Sequence, residues 1–291
     1  MSAAPATDER WTVRRAVLWT TDYLKQRGAD SPRTDAELLL ADSLGVDRVR
    51  LVIDFDKPLG PEELAGYRGR IERRAGGEPI AYILGRREFY GRRFAVDPRV
   101  LIPRPETEGL VELALALVPP EVPVRILDLC TGSGCVGLTL AAELPHATVT
   151  LVDLDAGAAE VARANATSLG LEARCELLVG DLLAPLPQGA TFDLVVANPP
   201  YVATGELAGL QREVQREPRL ALDGGADGLE LVRRIVRGAG AHLSPAGSLL
   251  LELAIEQGTA VGALLSEAGF EAIRVEQDFT RRDRYVVGRR K

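Results

Sequence analysis

The chain has 291 residues, 46% of them hydrophobic, with 35 Lys and Arg against 42 Asp and Glu for a formal charge of −7. That length can bury a full α/β core and a second small domain, while the acidic balance disfavours a docking surface for duplex phosphates. Cys130, Cys135 and Cys175 form no Cys-x-x-Cys pair and there is no histidine cluster, so neither a zinc site nor a disulfide framework is expected; without a secretory signal pattern or an apolar run of membrane-spanning length, the expected compartment is the cytoplasm.

Up to residue 94 the pattern is helical. Apolar spacing through Trp11, Ala16, Leu18, Tyr23 and Leu24, then over 36–44 after Ser31-Pro32, then over 64–71 after Pro61, predicts three or four short helices punctuated by Gly28, Gly45 and Gly76-Gly77. Trp11 and Trp19 read as core. Residues 80–96, β-branched and aromatic around Gly85 and Gly91, predict a β-hairpin joining this region to the rest. Arg86, Arg87, Arg92 and Arg93 bracket it, either as a solvated face or as a docking patch for an acidic partner. Residues 1–94 carry a net charge of +2 and the remainder −9.

Residues 124–129 form a short apolar strand running into Cys130-Thr131-Gly132-Ser133-Gly134, and 136–142 continue at helical spacing. Strand, glycine turn and helix make a nucleotide-site layout, because glycines let the backbone approach a ligand closely. A second strand over 148–152 delivers Asp153, 19 residues after Gly134, where an acidic group grips a ribose diol; the alternative is a strand-end cap. Asp155 is the better candidate to cap the helix over 156–168, which leaves Asp153 free. A third strand over 175–179 ends at Gly180-Asp181-Leu182, whose carboxylate either accepts from an adenine amine or bonds its own loop. A fourth, starting at Phe192, stops at Asn198-Pro199-Pro200-Tyr201. Four successive strands thus end in polar or glycine elements at one edge, where open α/β sheets bind ligands. A helix near 229–243, a strand over 248–253, a helix over 257–268 and strands over 272–277 and 284–287 complete the sheet; His146 and His242 read as structural.

The last of those turns carries chemistry. Neither Pro199 nor Pro200 has an N–H, and a residue before proline is pushed to extended geometry, so the turn offers mainly the Asn198 side-chain oxygen and the Pro199 carbonyl. A planar NH2 group brings two donors to that pair, and the Tyr201 ring can cover the face of an amide or a base. The nitrogen of an amide or exocyclic amine is a poor nucleophile because its lone pair is delocalised. Acceptors on both N–H bonds raise its electron density and fix its direction of attack. The plain alternative is a rigid strand-ending turn that binds nothing.

The series Asp128 to Gly134, Asp153, Gly180-Asp181 and Asn198 to Tyr201 is similar to that of class I S-adenosylmethionine-dependent methyltransferases of the amino-methylating branch. Upstream, Glu78-Pro79-Ile80-Ala81-Tyr82-Ile83-Leu84-Gly85, Arg87-Glu88-Phe89-Tyr90-Gly91 and Val100-Leu101-Ile102-Pro103-Arg104-Pro105-Glu106-Thr107-Glu108 resemble the HemK/PrmC family, the peptide chain release factor glutamine methyltransferases. The likeness continues weakly through Glu217-Pro218-Arg219, Leu249-Leu250-Leu251-Glu252 and the tail.

This resemblance implies an α/β fold: a class I methyltransferase, Rossmann-like seven-stranded sheet with a final antiparallel pair, and a small N-terminal helical domain joined by a β-hairpin. The implied domains are a substrate-docking region over 1–78, a linking hairpin over 79–99 and a catalytic domain over 100–291. It also implies that Cys130, Thr131, Gly132, Ser133, Gly134 and Asp153 hold S-adenosyl-L-methionine, with Asp181, Leu182 and Asn198 beside it. Asn198, Pro199 and Tyr201 would be catalytic and, with Pro200, Arg104, Glu106 and Thr107, would bind the glutamine of the Gly-Gly-Gln motif in class 1 release factors. Transfer would be direct, without a metal, since a sulfonium is already activated and leaves as a neutral thioether. Glu106 and Thr107 could instead cap the helix that follows. Cys130 stands where the family usually has glycine, harmless at negative φ and an obstacle otherwise.

Rival readings are a ribosomal-protein glutamine methyltransferase, which shares the turn and part of the Val-Leu-Ile-Pro-Arg segment, and a DNA adenine methyltransferase, which needs a basic groove and base flipping. Glu106-Thr107-Glu108 favours release factors. A non-catalytic cofactor-binding scaffold would have no use for an intact Asn-Pro-Pro-Tyr turn. The expected partner is therefore a release factor, with no direct nucleic acid or membrane contact, and the chain is expected to be a monomer.

Overall fold

Helices near the N-terminus begin where the chain supplies caps. In the computed structural model, which describes residues 10–291, α1 (Val13–Gln26) starts at Thr12, whose hydroxyl accepts from Arg15 N at 3.3 Å. A proline at the first position opens α2 (Pro32–Leu44), which closes on Gly45 at φ 64°. Asp47 caps α3 (Arg48–Ile53) through Arg50 N at 2.7 Å. The turn before α4 (Pro61–Ala75) is closed by Gly60 N donating to the Glu63 carboxylate at 2.7 Å, and α5 (Ile80–Leu84) is a single turn. Leu24, Leu39, Leu40, Leu51, Tyr67 and Ile71 form the core of this unit, and Arg74 pairs with Asp35 inside it at 2.6 Å. The first nine residues of the expected helical domain lie outside the described residues.

Two expectations fail here. The hairpin expected from residue 80 starts later, because Ala81, Tyr82 and Ile83 are buried in a helical turn after Pro79, and that packing overrides their β propensity. Trp19 is 50% exposed; it stacks on Tyr23 at 5.2 Å and presents an edge to Trp11 at 5.9 Å, so its neighbours cover it only in part.

The chain divides after Leu84. The second unit opens with β1 (Arg86–Phe89) and β2 (Arg92–Ala95), an antiparallel hairpin. Its loop residues Tyr90 and Gly91 both take positive φ, as a two-residue hairpin turn requires. Phe89 and Phe94 meet edge to face at 6.0 Å within the core of this unit. There follow α6 (Thr107–Leu117), β3 (Val124–Leu129), α7 (Cys135–Glu143), β4 (Ala147–Asp153), α8 (Ala156–Leu169), β5 (Cys175–Val179), β6 (Phe192–Ala197), α9 (Glu230–His242), β7 (Leu243–Glu252), α10 (Gly258–Glu267), β8 (Phe270–Gln277) and β9 (Asp283–Arg290).

The sheet order is β5-β4-β3-β6-β7-β9-β8. Neighbours from β5 to β7 are parallel, and β9 runs antiparallel to β7 and β8. The seven-stranded sheet and its final antiparallel pair are as the resemblance implied. Parallel strands covered on both faces read as unbroken apolar runs. Leu110, Val111 and Ala114 of α6, with α7 residues, pack on one face; Val232, Ile235 and Val236 of α9, with Val261 and Leu265 of α10, pack on the other. Strand order reverses between β3 and β6, and the carboxyl ends at such a switch point form the crevice for ligands. Among the described residues no helix is long and apolar enough to cross a membrane.

Candidate active site

The loop after β3 is built from inside. Buried Asp128 accepts from the Thr131 hydroxyl at 2.6 Å and from Gly137 N at 3.0 Å, tying the loop to the first turn of α7. A Cβ on Gly137 would meet Asp128 Oδ2 at 2.8 Å, so this helix position has room only for glycine. Gly132 and Gly134 take φ 56° and 79°. Cys130 takes φ 58°, and Leu182, which lines the same pocket, takes φ 52°. Two non-glycine residues in the left-handed region at one crevice are local strain of about 1–2 kcal/mol each, of the kind that persists at ligand sites. The condition under which cysteine obstructs the loop is thus met in conformation. The thiol stays compact and neutral, pushed up by burial and by the nearby carboxylates of Asp153, Asp128 and Asp181. We expect Cys130→Gly to raise the unfolding free energy by about 0.5–1 kcal/mol in a denaturant titration; a lower stability would show that the thiol's packing outweighs the strain.

Cys130, Gly132, Asp153, Asp155, Gly180, Asp181, Leu182, Asn198 and Pro200 line one pocket. Asp153 accepts from Gly132 N at 2.8 Å through Oδ2 and from Asp155 N at 3.0 Å through Oδ1, so it braces the glycine loop while each oxygen keeps a second lone pair. Burial raises its pKa, opposed by those backbone donors. Asp155 caps α8 through Ala158 N at 2.9 Å, as its position predicts. Asp181 pairs through Oδ2 with Arg234 of α9 at 2.6 Å, a partner that neither reading of its loop, as an acceptor from an adenine amine or as a bond to its own backbone, included. Thr131 and Ser133 are buried behind the loop.

The pocket's far wall comes from 99–101 and from Pro218, Leu220 and Ala221. Glu217 clasps these two loops, accepting from Ile102 N at 3.0 Å and from Arg104 at 2.5 Å. Arg104 is therefore engaged with a buried carboxylate, which the sequence left unmarked; a glutamate within Glu-Pro-Arg was the available signal.

Asn198-Pro199-Pro200-Tyr201 follows β6 directly. Asn198 Nδ2 donates to the Thr107 hydroxyl at 3.2 Å. Its amide is thereby oriented with Oδ1 opposite the bond, the acceptor that the turn chemistry calls for. Pro199 and Pro200 are buried and Tyr201 partly so. Two elements support the turn: Gln257, just before α10, donates through Nε2 to Tyr201 O at 3.1 Å, and the loop at Gly224 packs so closely that a Cβ there would meet Pro200 O at 2.6 Å. Burial and the nearby Glu252 push the Tyr201 phenol up to about 12, so it stays protonated. Glu106 caps nothing with its side chain; its carbonyl accepts from the Tyr285 hydroxyl. His242 meets Ala190 O at 3.0 Å, a structural contact. Among the described residues no group of three or more His, Cys, Asp or Glu could hold a metal.

Burial raises Asp128 to about 7 in spite of its two donors. It also raises Glu252 to about 7, with Thr107, Arg284 and Arg104 pulling downward and Glu106 adding to the rise. Both carboxyls bind a proton more tightly folded than unfolded. Their stabilising contribution is complete below the ordinary carboxylate range and is lost as pH rises through about 7. The unfolding free energy should fall across that window, by at most about 1.4 kcal/mol per pH unit for each group, with a parallel fall in melting temperature, and Asp128→Asn should flatten the decline. A native profile flat through neutrality would contradict this.

The PrmC N-terminal domain matches residues 15–85 and the methyltransferase small domain matches 111–225. The release factor glutamine methyltransferase of Geobacter sulfurreducens is 48% identical over 282 residues, 97% of this chain and 98% of that protein. Its counterpart in Cereibacter sphaeroides is 45% identical over 267 residues, 91% and 94% of the two chains. Among solved structures, the T. thermophilus 16S rRNA N2 G1207 methyltransferase in complex with AdoMet and guanosine shares the fold, with TM-score 0.53 and 22% identity over 71% of this chain and 50% of that one. Matches of this identity over nearly the full length of both chains agree with the motifs in residues 78–108 and 124–201, and the chain belongs to the release factor glutamine methyltransferase family.

Proposed function

We propose that this enzyme transfers a methyl group from S-adenosylmethionine to the side-chain amide nitrogen of the glutamine in the Gly-Gly-Gln motif of class 1 release factors, acting as a cytoplasmic monomer. The observation that carries the reading is the Asn198–Thr107 hydrogen bond, which commits the asparagine NH2 and leaves its oxygen as an acceptor at the end of β6.

The pocket suits S-adenosylmethionine on its own geometry: a glycine loop at positive φ, a braced carboxylate with spare lone pairs, and the apolar Leu182 and Val152 beside it. Asp153 would hold the ribose diol, Asp181 and Leu182 would face the adenine, and 130–134 would pass beneath the amino-acid end. When bound, the cofactor supplies an electrophilic methyl whose C–S bond breaks as the C–N bond forms, the sulfur keeping the electron pair. Asn198 Oδ1 and the Pro199 carbonyl would each accept one N–H of the substrate amide, concentrating density on nitrogen and fixing its direction. Tyr201 would cover the amide plane. The nitrogen then sheds one proton to water. We assign substrate contact to Glu106 and Thr107 also, while Arg104 would act by holding its loop through Glu217.

A turn lined with acceptors rejects a carboxylate, which brings lone pairs toward lone pairs, and asparagine is one methylene too short. Docking of the folded factor on the N-terminal helices and the arginine-bracketed hairpin would add affinity that a peptide lacks. The test is methyl incorporation into an intact release factor, its Gln→Asn and Gln→Glu variants, a short Gly-Gly-Gln peptide, ribosomal proteins and duplex DNA. We expect label in the intact factor, little in the peptide and none in the others. Label in ribosomal proteins or DNA with none in the release factor would overturn the assignment, and equal labelling of peptide and protein would remove the docking surface.

A further inference from the structure

Glu252 is a buried carboxylate with no part in the chemistry above. It is 1% exposed, and its Oε2 has no hydrogen-bond partner. Leaving a carboxylate oxygen unpaired in the interior is destabilising, and a nonpolar residue of similar size would improve packing there. Stability therefore gives no reason for a carboxylate at this point, but the site does.

The sheet puts Glu252 beside Asn198. β6 and β7 are adjacent and parallel with Ala197 opposite Leu251, so Asn198 and Glu252 are the next residues of neighbouring strands, about 5 Å apart in backbone. Side chains alternate along both. Val196 and Leu250 pack into the core beneath α6, so Asn198 and Glu252, two residues further on, share that face. The first turn of α6 is seated above them from β9. Tyr285, the register partner of Glu252, donates to the Glu106 carbonyl, and its ring lies so close to Gly109 that a Cβ would meet Cζ at 2.9 Å. Thr107 is thereby lodged between the two strand ends. Its hydroxyl accepts from Asn198 Nδ2 at 3.2 Å, and the downward pull that Thr107 exerts on the Glu252 pKa marks the two side chains as neighbours.

We propose that Glu252 is a positioning residue for methyl transfer: a carboxyl oxygen of Glu252 accepts a hydrogen bond from the Thr107 hydroxyl, so that the Thr107 oxygen can only accept from Asn198, and this holds the Asn198 amide with its oxygen toward the substrate nitrogen. A hydroxyl has one hydrogen. While that hydrogen is given to Glu252, the group facing Thr107 must be the Asn198 NH2. Without the carboxylate the hydroxyl is free to turn and donate to Asn198 Oδ1, which lets the amide flip and present donors to a substrate that itself brings donors. The inference rests on the role given to Asn198 above.

The test uses the whole protein with an intact release factor and compares the wild type with Glu252→Met, Glu252→Gln, Thr107→Val and the Glu252→Met/Thr107→Val double variant. Glu252→Met should lower kcat about tenfold or more, with KM and the Kd for S-adenosylmethionine within about twofold and a melting temperature no lower than wild type. Glu252→Gln, whose carbonyl can still accept from Thr107, should recover most of kcat. The double variant should be no slower than Thr107→Val alone, because both changes cut one chain. A kcat loss in Glu252→Met matched by lost cofactor affinity or lost stability would make the residue merely structural and overturn the proposal, as would losses that multiply in the double variant. A wild type that leaves the release factor unmethylated would instead fail in the first arm and overturn the function from which this role follows.

Discussion

Asn198→Ala is expected to lower turnover about a hundredfold or more while leaving the Kd for S-adenosylmethionine within a few-fold. Removing one preorganised polar contact to a reacting group typically has that effect on the chemical step. Here the contact is oriented in advance: the Asn198 NH2 is spent on Thr107, so its oxygen needs no reorganisation when an amide arrives. The backbone of the turn is held independently, by Gln257 on the Tyr201 carbonyl and by Gly224 against the Pro200 carbonyl, and the substitution leaves both in place. Single-turnover kinetics at saturating cofactor with parallel calorimetry separate the two effects. If cofactor affinity fell while turnover per bound complex held, Asn198 would belong to the cofactor site alone and the acceptor turn would lose its purpose.

The second large effect lies at Asp153. Asp153→Ala should weaken S-adenosylmethionine binding by about 2–4 kcal/mol, the scale of stranding hydroxyl donors that a charged acceptor had satisfied. Part of this loss comes through the loop, since Asp153 Oδ2 also holds Gly132 N at 2.8 Å. Asp155→Ala provides the contrast two residues on. It removes the cap on Ala158 N and should lower stability by about 1 kcal/mol with little change in cofactor affinity. An unchanged Kd in Asp153→Ala would dismiss its assignment.

What could be read from the chain was what the chain encodes locally. Buried parallel strands read as apolar runs that stop at glycine, aspartate or proline, and so β3 to β6 and the order of their ends were visible, as was the cap at Asp155. The φ of Cys130 was not, because the turn of the loop decides it. Partners distant in sequence were equally hidden: Asp181 is met by Arg234, and Ile102 and Arg104 by Glu217. Glu252 ends a run of three leucines at the same sheet edge as Asp128 and Asn198, and a charge at the end of a fully buried strand was the available sign. Among the described residues of the N-terminal region five helices stand where three or four were expected, since the short turns α3 and α5 have too few residues to show a helical period.

The most direct measurement is fragmentation mass spectrometry of an intact class 1 release factor after incubation with this enzyme and S-adenosylmethionine. The mechanism requires one added methyl, on the side-chain nitrogen of the Gly-Gly-Gln glutamine, with none on the Gln→Glu variant and a rate that drops sharply in Asn198→Ala. Methyl found on another residue, or on the glutamine variant, or at an undiminished rate without Asn198, would contradict it.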